Sequence, residues 1–185
     1  MHLTRELAEE LERIATGVIA EHASAVDREA RFPKEAIAAL ARAGLLGVLS
    51  AKEVGGAGLG LGAAAEVVER VARACGSTAM IVCMHLSGAA VVEKHGPEAV
   101  RRAAATGGAL LTLAFSEAGS RSMFWAPTST ATRDGQGVRL EARKSFVTSA
   151  SHADHYVWSS KPVAAAGEAS TLWLVPRGTK GLTLE

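Results

Sequence analysis

The spacing of the hydrophobic residues changes near Gly107 and Gly108, and this change limits what the chain can fold into. Before these glycines, apolar residues recur at steps of three and four, which places them on one face of a helix. After the glycines, apolar and polar residues alternate, as in a half-buried strand. The first helical face consists of Leu3, Leu7, Leu11, Ile14 and Val18, and the clearest strand face of Val138, Leu140 and Ala142.

The order of these two patterns predicts an α+β fold. Helices come first and strands follow, whereas a parallel sheet with crossover helices would alternate the two. We therefore expect residues 1–108 to form a helical N-terminal domain of roughly four to six helices. Residues 109–185 are expected to form a mostly antiparallel, β-barrel-like middle domain. Within it, the run from Asp134 to Gly137 predicts a hairpin turn.

The most apolar of the predicted helices lies near the middle of the chain. Ser77 or Thr78 can cap it, because both hydroxyl residues suit the N-cap position. The stretch Ala79–Val92 is apolar nearly all round, which normally means burial on every side. An unpartnered face of this helix would expose an apolar surface and favour self-association. Met80 and Met84 are predicted as core residues, with the lining of a ligand cavity as the alternative.

Charge and composition exclude several classes of partner. The chain has 20 Lys and Arg against 19 Asp and Glu, which gives a formal net charge of +1. Nucleic acids and anionic membranes both select for a basic surplus, so neither is expected as a partner. No apolar run is expected to span a bilayer, which takes roughly 20 residues, and the charged N-terminus lacks the apolar region of a signal peptide. A cytoplasmic location is therefore the expectation.

Two local patterns imitate known sites without the context that those sites need. Gly58–Ala63 matches the letters G-x-G-x-x-A of a dinucleotide-binding turn, but that turn follows a strand, and no strand is predicted here. His152, Asp154 and His155 are metal-ligating residue types, yet they are close in sequence. Alternation turns His152 and Asp154 to one face and His155 to the other. We predict a polar loop that enters a strand, and no metal site.

More specific signals lie in five segments that follow one another along the chain. They are Phe32–Glu35 with Gly44–Gly47, Glu53–Gly60, Ser77–Leu86 with His95–Glu98, Leu113–Ser120, and Lys144–Ser149 with Ala153 and Asp154. In the same order, acyl-CoA dehydrogenases carry F-P-x-E…G-L-x-G, E-x-Y-G-G-x-G-L-D, a helix pair leading into G-T/S-E-E-Q, T-E-P-x-A-G-S-D, and K-x-W-I-T-N…A-D. The chain therefore resembles the N-terminal helical and middle β domains of that superfamily.

The resemblance implies an FAD cofactor and the residues that bind it. In the family, hydroxyl groups at the positions of Ser116 and Thr148 hydrogen-bond the isoalloxazine ring, and an aromatic residue at the position of Phe146 packs near it. The family serine that reaches the FAD pyrophosphate corresponds to Ser120. A hydroxyl group can donate and accept, so it suits either a flavin oxygen or the reactive flavin nitrogen. The predicted cofactor-binding set is completed by Phe115, Gly119 and Val147.

The activity that the resemblance implies is the α,β-dehydrogenation of an acyl thioester such as acyl-CoA. In the family, a third, C-terminal helical domain supplies the glutamate base and the core of the oligomer. Nothing in these 185 residues resembles that domain, so no catalytic residue is predicted, and Glu117 corresponds to a family glutamate that is not the base. We expect an incomplete chain that is inactive alone. It would form a homo-oligomer or take the missing helical domain from a partner chain.

Departures from the family pattern keep other functions open. Ser116 stands in place of threonine, Arg121 in place of aspartate and Phe146 in place of tryptophan. Two alternatives to the dehydrogenase follow from these changes. One is a related flavin-dependent monooxygenase, and the other is a non-catalytic module that binds an acyl thioester, a flavin or a partner chain.

Overall fold

The computed structural model describes residues 2–121, 123–162 and 170–185. Its helices are α1 (Arg5–Ile14), α2 (Ala20–Arg28), α3 (Lys34–Arg42), α4 (Leu61–Ala74), α5 (Gly76–His95) and α6 (Glu98–Ala105). A π-helical stretch, Ala15–Ile19, joins α1 to α2, and 3-10 turns lie at Leu45–Gly47 and Lys52–Val54. The strands are β1 (Leu111–Ala114), β2 (Thr130–Asp134), β3 (Gly137–Glu141), β4 (His155–Ser160) and β5 (Thr171–Pro176).

The first helical face forms where its spacing predicts. Thr4 caps α1, because its side chain accepts a hydrogen bond from the backbone N–H of Leu7. Leu11 and Ile14 are buried in a core that α3, α4 and α5 share. Gly17 has non-helical backbone angles (φ −94°, ψ −107°), and it divides the long N-terminal helix into α1 and α2.

Helix α5 packs against α4 on one side and β1 on the other. Its N-cap is Cys75, whose sulfur accepts a hydrogen bond from the backbone N–H of Thr78. The predicted cap at Ser77 or Thr78 is therefore wrong, because the helix already begins at Gly76. By length and composition alone α5 could span a membrane, contrary to the expectation from sequence. Half of that stretch is buried within the fold, as is usual for a core helix.

The outward face of α5 corrects the prediction for its methionines. Met80 is 52% exposed, and Met84 is half-buried. Val82 and Leu86 are buried as expected. Helix α5 is apolar on nearly every side. The contacts with α4 and β1 therefore cover only part of its apolar surface.

The strands form a three-stranded sheet in the order β1-β4-β5 and a separate β2-β3 hairpin. Strand β4 lies parallel to β1 and antiparallel to β5. The chain passes from β1 to β4 through the hairpin, with no helix in the described residues between them. Helices followed by a mostly antiparallel β region confirm the predicted α+β class. The boundary between residues 108 and 109 stays a prediction.

The hairpin turn forms where the sequence predicts it. Asp134 pairs with Gly137, and Gly135 adopts a left-handed backbone with φ +60°. A glycine suits that conformation because it lacks a Cβ atom. The alternating strand face is less buried than expected, since Val138 is 38% exposed.

Helix α5 and strand β1 approach each other closely at Gly88. A Cβ atom at this position would lie only 3.0 Å from the Cβ of Leu111. Ala89 and Val92 pack beside it against Leu111 and Val157. This contact fixes the sheet against the helices, and β1 leads directly into the first of the predicted cofactor segments.

Candidate flavin site

Two sequence segments carry the predicted cofactor residues. We call residues 115–120 segment A and residues 144–148 segment B. Segment A follows β1 and segment B follows the β2-β3 hairpin. An antiparallel bridge between Glu117 and Lys144 joins them, so the fold brings together two segments that are distant in sequence.

Backbone hydrogen bonds extend this junction in both directions. The N–H of Ser145 donates to the carbonyl of Ser116 at 2.9 Å. Farther along, the hydroxyl of Thr112 donates to the carbonyl of Thr148 at 2.8 Å. The backbone positions of Ser116 and Thr148, the two residues predicted to bind the ring, are therefore set by the same pair of strands.

A buried ion pair lies at the centre of the junction. Lys144 Nζ is 2.6 Å from Glu117 Oε1, and both side chains are only 3% exposed. Lys144 Nζ also donates to the carbonyl of Ser159 at 2.7 Å and lies 5.1 Å from the centre of the Trp158 ring. A charged pair at this depth is stable only when further polar partners surround it.

Those further partners come from residues just before β2. The backbone N–H groups of Thr128 and Ser129 each donate to Glu117 Oε2 at 2.8 Å, and both hydroxyl groups also donate to the carboxylate. Burial raises the pKa of Glu117, but hydrogen bonds from Lys144, Ser129 and Thr128 outweigh it and lower the pKa to about 2. Glu117 is therefore ionised at neutral pH and fully engaged in hydrogen bonds.

Phe146 projects from segment B into solvent. Its side chain is 96% exposed, and its backbone has φ +54°. A left-handed backbone is uncommon for any residue other than glycine and costs roughly 1–3 kcal/mol. A large aromatic side chain that is held out in a strained conformation indicates a contact surface for another molecule.

Two buried polar atoms without partners belong to residues that adjoin or contact segment B. Ser149, next to Thr148, has φ +51° and a buried hydroxyl oxygen. Trp158, whose ring faces Lys144, has a buried Nε1. Neither atom has a hydrogen-bond partner among the residues that the structure describes.

The other predicted cofactor residues divide into two groups. The side chains of Phe115 and Val147 are half-buried and pack against the apolar cores. Gly119 is exposed with φ +88°, whereas Ser120 is buried beside it. The structure therefore brings segments A and B together, but the seven predicted residues differ in exposure, from the buried Ser120 to the exposed Phe146.

The residues of the metal-like pattern have structural roles, and the glycine-rich pattern lacks the context of a dinucleotide site. Asp154 Oδ2 accepts a hydrogen bond from the backbone N–H of Leu110 at 2.8 Å. The ring of His152 stacks on Phe32, with centroids 4.0 Å apart. No cluster of three or more metal-ligating side chains occurs in the described part of the chain. A helical turn and a loop, not a strand, precede α4, so the Gly58–Ala63 match lacks its context.

Two open clefts of about 640 Å³ each are lined by residues outside segments A and B. One runs along α4 beside His2 and Glu12, and the other surrounds the stacked rings of Phe32 and His152. None of the seven predicted cofactor residues lines either cleft.

Sequence reasoning missed the Glu117–Lys144 pair. Both residues lie in the matched motifs, and no catalytic role is predicted for Glu117, but the motifs do not predict a contact between them. The available signal was one charge in each segment, Glu117 in segment A and Lys144 in segment B. Because buried charges require partners, two opposite charges of this kind predict a contact.

Comparison with known families identifies both halves of the chain. The acyl-CoA dehydrogenase N-terminal domain matches residues 3–107, and the acyl-CoA dehydrogenase middle domain matches residues 112–185. The chain belongs to the acyl-CoA dehydrogenase family. Its helical half and its β half thus correspond in order to the first two domains of an acyl-CoA dehydrogenase, which confirms the resemblance.

Individual proteins are similar to the chain in sequence or in fold. The human mitochondrial short-chain specific acyl-CoA dehydrogenase is 32% identical over 168 residues, which cover 88% of this chain and 41% of that protein. Butyryl-CoA dehydrogenase from Megasphaera elsdenii superposes with a TM-score of 0.83 at 20% identity, over 98% of this chain and 51% of that one. The FAD complex of PigA superposes equally well, with a TM-score of 0.83 at 21% identity, over 98% and 50%. The chain spans about half the length of these proteins or less.

Proposed function

We propose that this chain forms the FAD-binding part of an acyl-CoA dehydrogenase, an oxidoreductase that introduces an α,β double bond into an acyl thioester. The observation that carries the proposal is Phe146, which stands exposed in a strained backbone within segment B, one of the two segments that carry the family's cofactor motifs. Its family membership and the FAD complex of PigA support FAD as the cofactor. The name of the human relative supports an acyl-CoA substrate.

The residues of segments A and B fit a flavin. Thr148 and Ser116 provide hydroxyl groups that can donate to or accept from polar ring atoms. Phe146 provides an aromatic face that can exclude water from the ring. The unpartnered hydroxyl of Ser149 adds a polar atom beside Thr148. When bound, FAD would supply the hydride acceptor, and tuning its surroundings is the protein's share of the chemistry.

The described residues near the site offer no free base. Glu117 is the carboxylate of segment A, and it is held by Lys144 and by the residues before β2. A general base needs to reach the proton that it removes. We therefore propose that the base comes from outside the described residues. A partner chain with a further helical domain would provide it. The other assembly that we propose for this chain is a homo-oligomer. The cytoplasmic location also stays a prediction.

FAD titration of the purified chain tests the cofactor assignment. We expect binding that shifts the flavin absorbance spectrum and quenches its fluorescence. Thr148→Ala should weaken binding by roughly five-fold, the equivalent of about 1 kcal/mol for one hydrogen bond. Phe146→Ala should weaken it by roughly three- to ten-fold through loss of the aromatic contact.

Phe124 provides the matched control for Phe146. It is also a phenylalanine on the β half, it is 52% exposed, and it lies outside segments A and B. Phe124→Ala should leave the dissociation constant of FAD unchanged. A chain that takes up no FAD, or in which Phe124→Ala and Phe146→Ala weaken binding equally, would contradict the proposed site.

A further inference from the structure

The buried pair of Glu117 and Lys144 lies behind the proposed flavin surface and does not form part of it. We infer that this pair is a positioning device, which holds segments A and B at the spacing that flavin binding requires. The inference rests on the proposed function, because its purpose is a flavin site. It assigns a role in cofactor affinity to two residues that are themselves buried and need not touch FAD.

The ammonium group of Lys144 connects three parts of the β half. It contacts Glu117 Oε1 in segment A at 2.6 Å, and it donates to the carbonyl of Ser159 in β4 at 2.7 Å. It also lies 3.5 Å from the carbonyl of Phe115, where β1 passes into segment A. Three donors on one cation thus fix the start of segment B against two neighbouring strands.

The carboxylate of Glu117 closes the loop that carries Gly119 and Ser120. Its oxygens accept hydrogen bonds from the backbone and the hydroxyl groups of Thr128 and Ser129. Residues 117 and 128 are thereby held together at the neck of the loop. The backbone N–H of Ser120, the residue predicted to reach the FAD pyrophosphate, donates to the carbonyl of Glu117 at 3.1 Å, so Ser120 is anchored to the same residue.

Stability alone is a weak reason for such a pair. Burying two charges costs several kcal/mol per ion, and apolar residues of similar volume are often equally stabilising or better. The pair instead fixes the relative orientation of segments A and B, because charge-assisted hydrogen bonds are short and strongly oriented. A binding surface made of two separate segments requires this kind of constraint, since small errors in spacing weaken a site whose residues are all present.

The experiment compares four chains by FAD titration and by urea unfolding. They are the unaltered chain, Glu117→Gln, Lys144→Met, and the double variant. Each single variant leaves one charge buried without its partner and should lose stability. The double variant removes both charges and should recover most of that stability. A positioning role predicts that the double variant still binds FAD roughly ten-fold or more weakly, with an altered flavin spectrum.

Glu185→Gln is the matched control. Glu185 forms an ion pair with Arg143, the residue next to Lys144, at 2.7 Å, but these side chains are 76% and 78% exposed. Exposed pairs contribute little to stability. This variant should therefore bind FAD as the unaltered chain does.

Amide hydrogen exchange in the absence of FAD tests the positioning role of the pair separately from the proposed FAD-binding function. The double variant should exchange faster in segments A and B and at residues 128–129, while α4 and α5 keep their rates. A double variant with unaltered exchange and unaltered FAD affinity would overturn the inference. If the unaltered chain binds no FAD, the proposed function is wrong. Exchange alone then decides whether the pair fixes the two segments: faster exchange supports it and unchanged exchange overturns it.

Discussion

Nδ1 of His85, in the middle of α5, accepts a hydrogen bond at 3.2 Å from the backbone N–H of Leu111, the first residue of β1. The other ring nitrogen, Nε2, lies 3.2 Å from the carbonyl oxygen of Leu46. Because Nδ1 accepts, Nε2 carries the hydrogen and donates. One fully buried, neutral side chain therefore joins α5, a 3-10 turn of the helical half and the first strand of the sheet.

Replacing this side chain should destabilise the fold. His85→Leu has a similar volume but leaves the N–H of Leu111 and the carbonyl of Leu46 buried without partners. We expect a loss of roughly 2–4 kcal/mol in the free energy of unfolding, measured by urea denaturation. His95, exposed at the end of α5, provides the control, and His95→Asn should change stability by less than about 0.5 kcal/mol. Equal effects of the two substitutions would argue against a structural role for His85.

The same histidine predicts how stability depends on pH. Burial lowers the pKa of His85 from 6.5 to about 4, and the hydrogen bond with Leu46 offsets this only in part. Between these two values the unfolded chain binds a proton that the folded chain does not. Stability is therefore complete above pH 6.5 and falls as the pH drops towards 4, by up to about 3 kcal/mol.

Urea unfolding at pH 7 and pH 5 measures this dependence. The difference between the two pH values should be distinctly smaller in His85→Leu than in the unaltered chain. Glu117 has a lowered pKa as well, but its contribution is present above 4.5 and is lost only as the pH falls towards 2. His85 and Glu117 therefore affect the free energy of unfolding in different pH ranges. An identical pH dependence in both chains would contradict the assignment to His85.

The parts of this structure that sequence predicts are those that depend on local spacing. The helical face of Leu11 and Ile14 and the turn at Gly135 follow from periods and turn residues within a few positions. The parallel pairing of β1 with β4 was not predicted, because it joins residues about 44 positions apart, as in Leu111 with His155. Periodicity describes one element at a time and carries no information on which elements pair.

In the candidate site, too, local features were predicted from sequence and contacts between distant residues were not. Motif resemblance identified segments A and B, but it could not reveal that Glu117 and Lys144 meet across 27 positions. The outward position of Met80 was also missed, since an all-apolar helix gives no sign of which face its neighbours leave uncovered. His85 escaped notice for a related reason: a single polar residue in such a helix has its partners in other elements.

The exposed side of α5 predicts self-association of the chain. Met80 stands out at 52% exposure, and the half-buried Met84 and Val91 continue its face towards the end of the helix. Exposed apolar surface of this kind can mark an interface. We expect light scattering to detect a dimer or larger species that dissociates on dilution.

A charged substitution on that face tests where association occurs. Met80→Lys should shift the chain towards monomer, because a charge is costly to bury in an apolar interface. Leu61→Lys is the control, since Leu61 is also a large exposed apolar residue, at 71% exposure, but belongs to α4. A clean monomer at high concentration, or an equal effect of both substitutions, would contradict the prediction.

The last prediction concerns catalysis by the 185-residue chain alone, for which we expect no dehydrogenation of acyl-CoA. Removal of an α proton requires a base that is free to accept it, and the best catalytic pKa lies near the working pH. Glu117 meets neither condition, because Lys144, Thr128 and Ser129 occupy its carboxylate and hold its pKa at about 2. Asp154 is engaged by the backbone N–H of Leu110.

A direct assay uses the chain with FAD, a range of acyl-CoA thioesters and an electron acceptor. We expect no acyl-CoA-dependent loss of flavin absorbance, since general base catalysis alone is typically worth about 100- to 10,000-fold in rate. Glu117→Gln and Asp154→Asn distinguish the possible bases if turnover does occur. Steady turnover that Glu117→Gln abolishes in a folded variant saturated with FAD, and that Asp154→Asn leaves intact, would make Glu117 the base. It would also require the carboxylate to leave Lys144 during the reaction, which faster amide exchange at residues 128–129 in the presence of acyl-CoA would reveal.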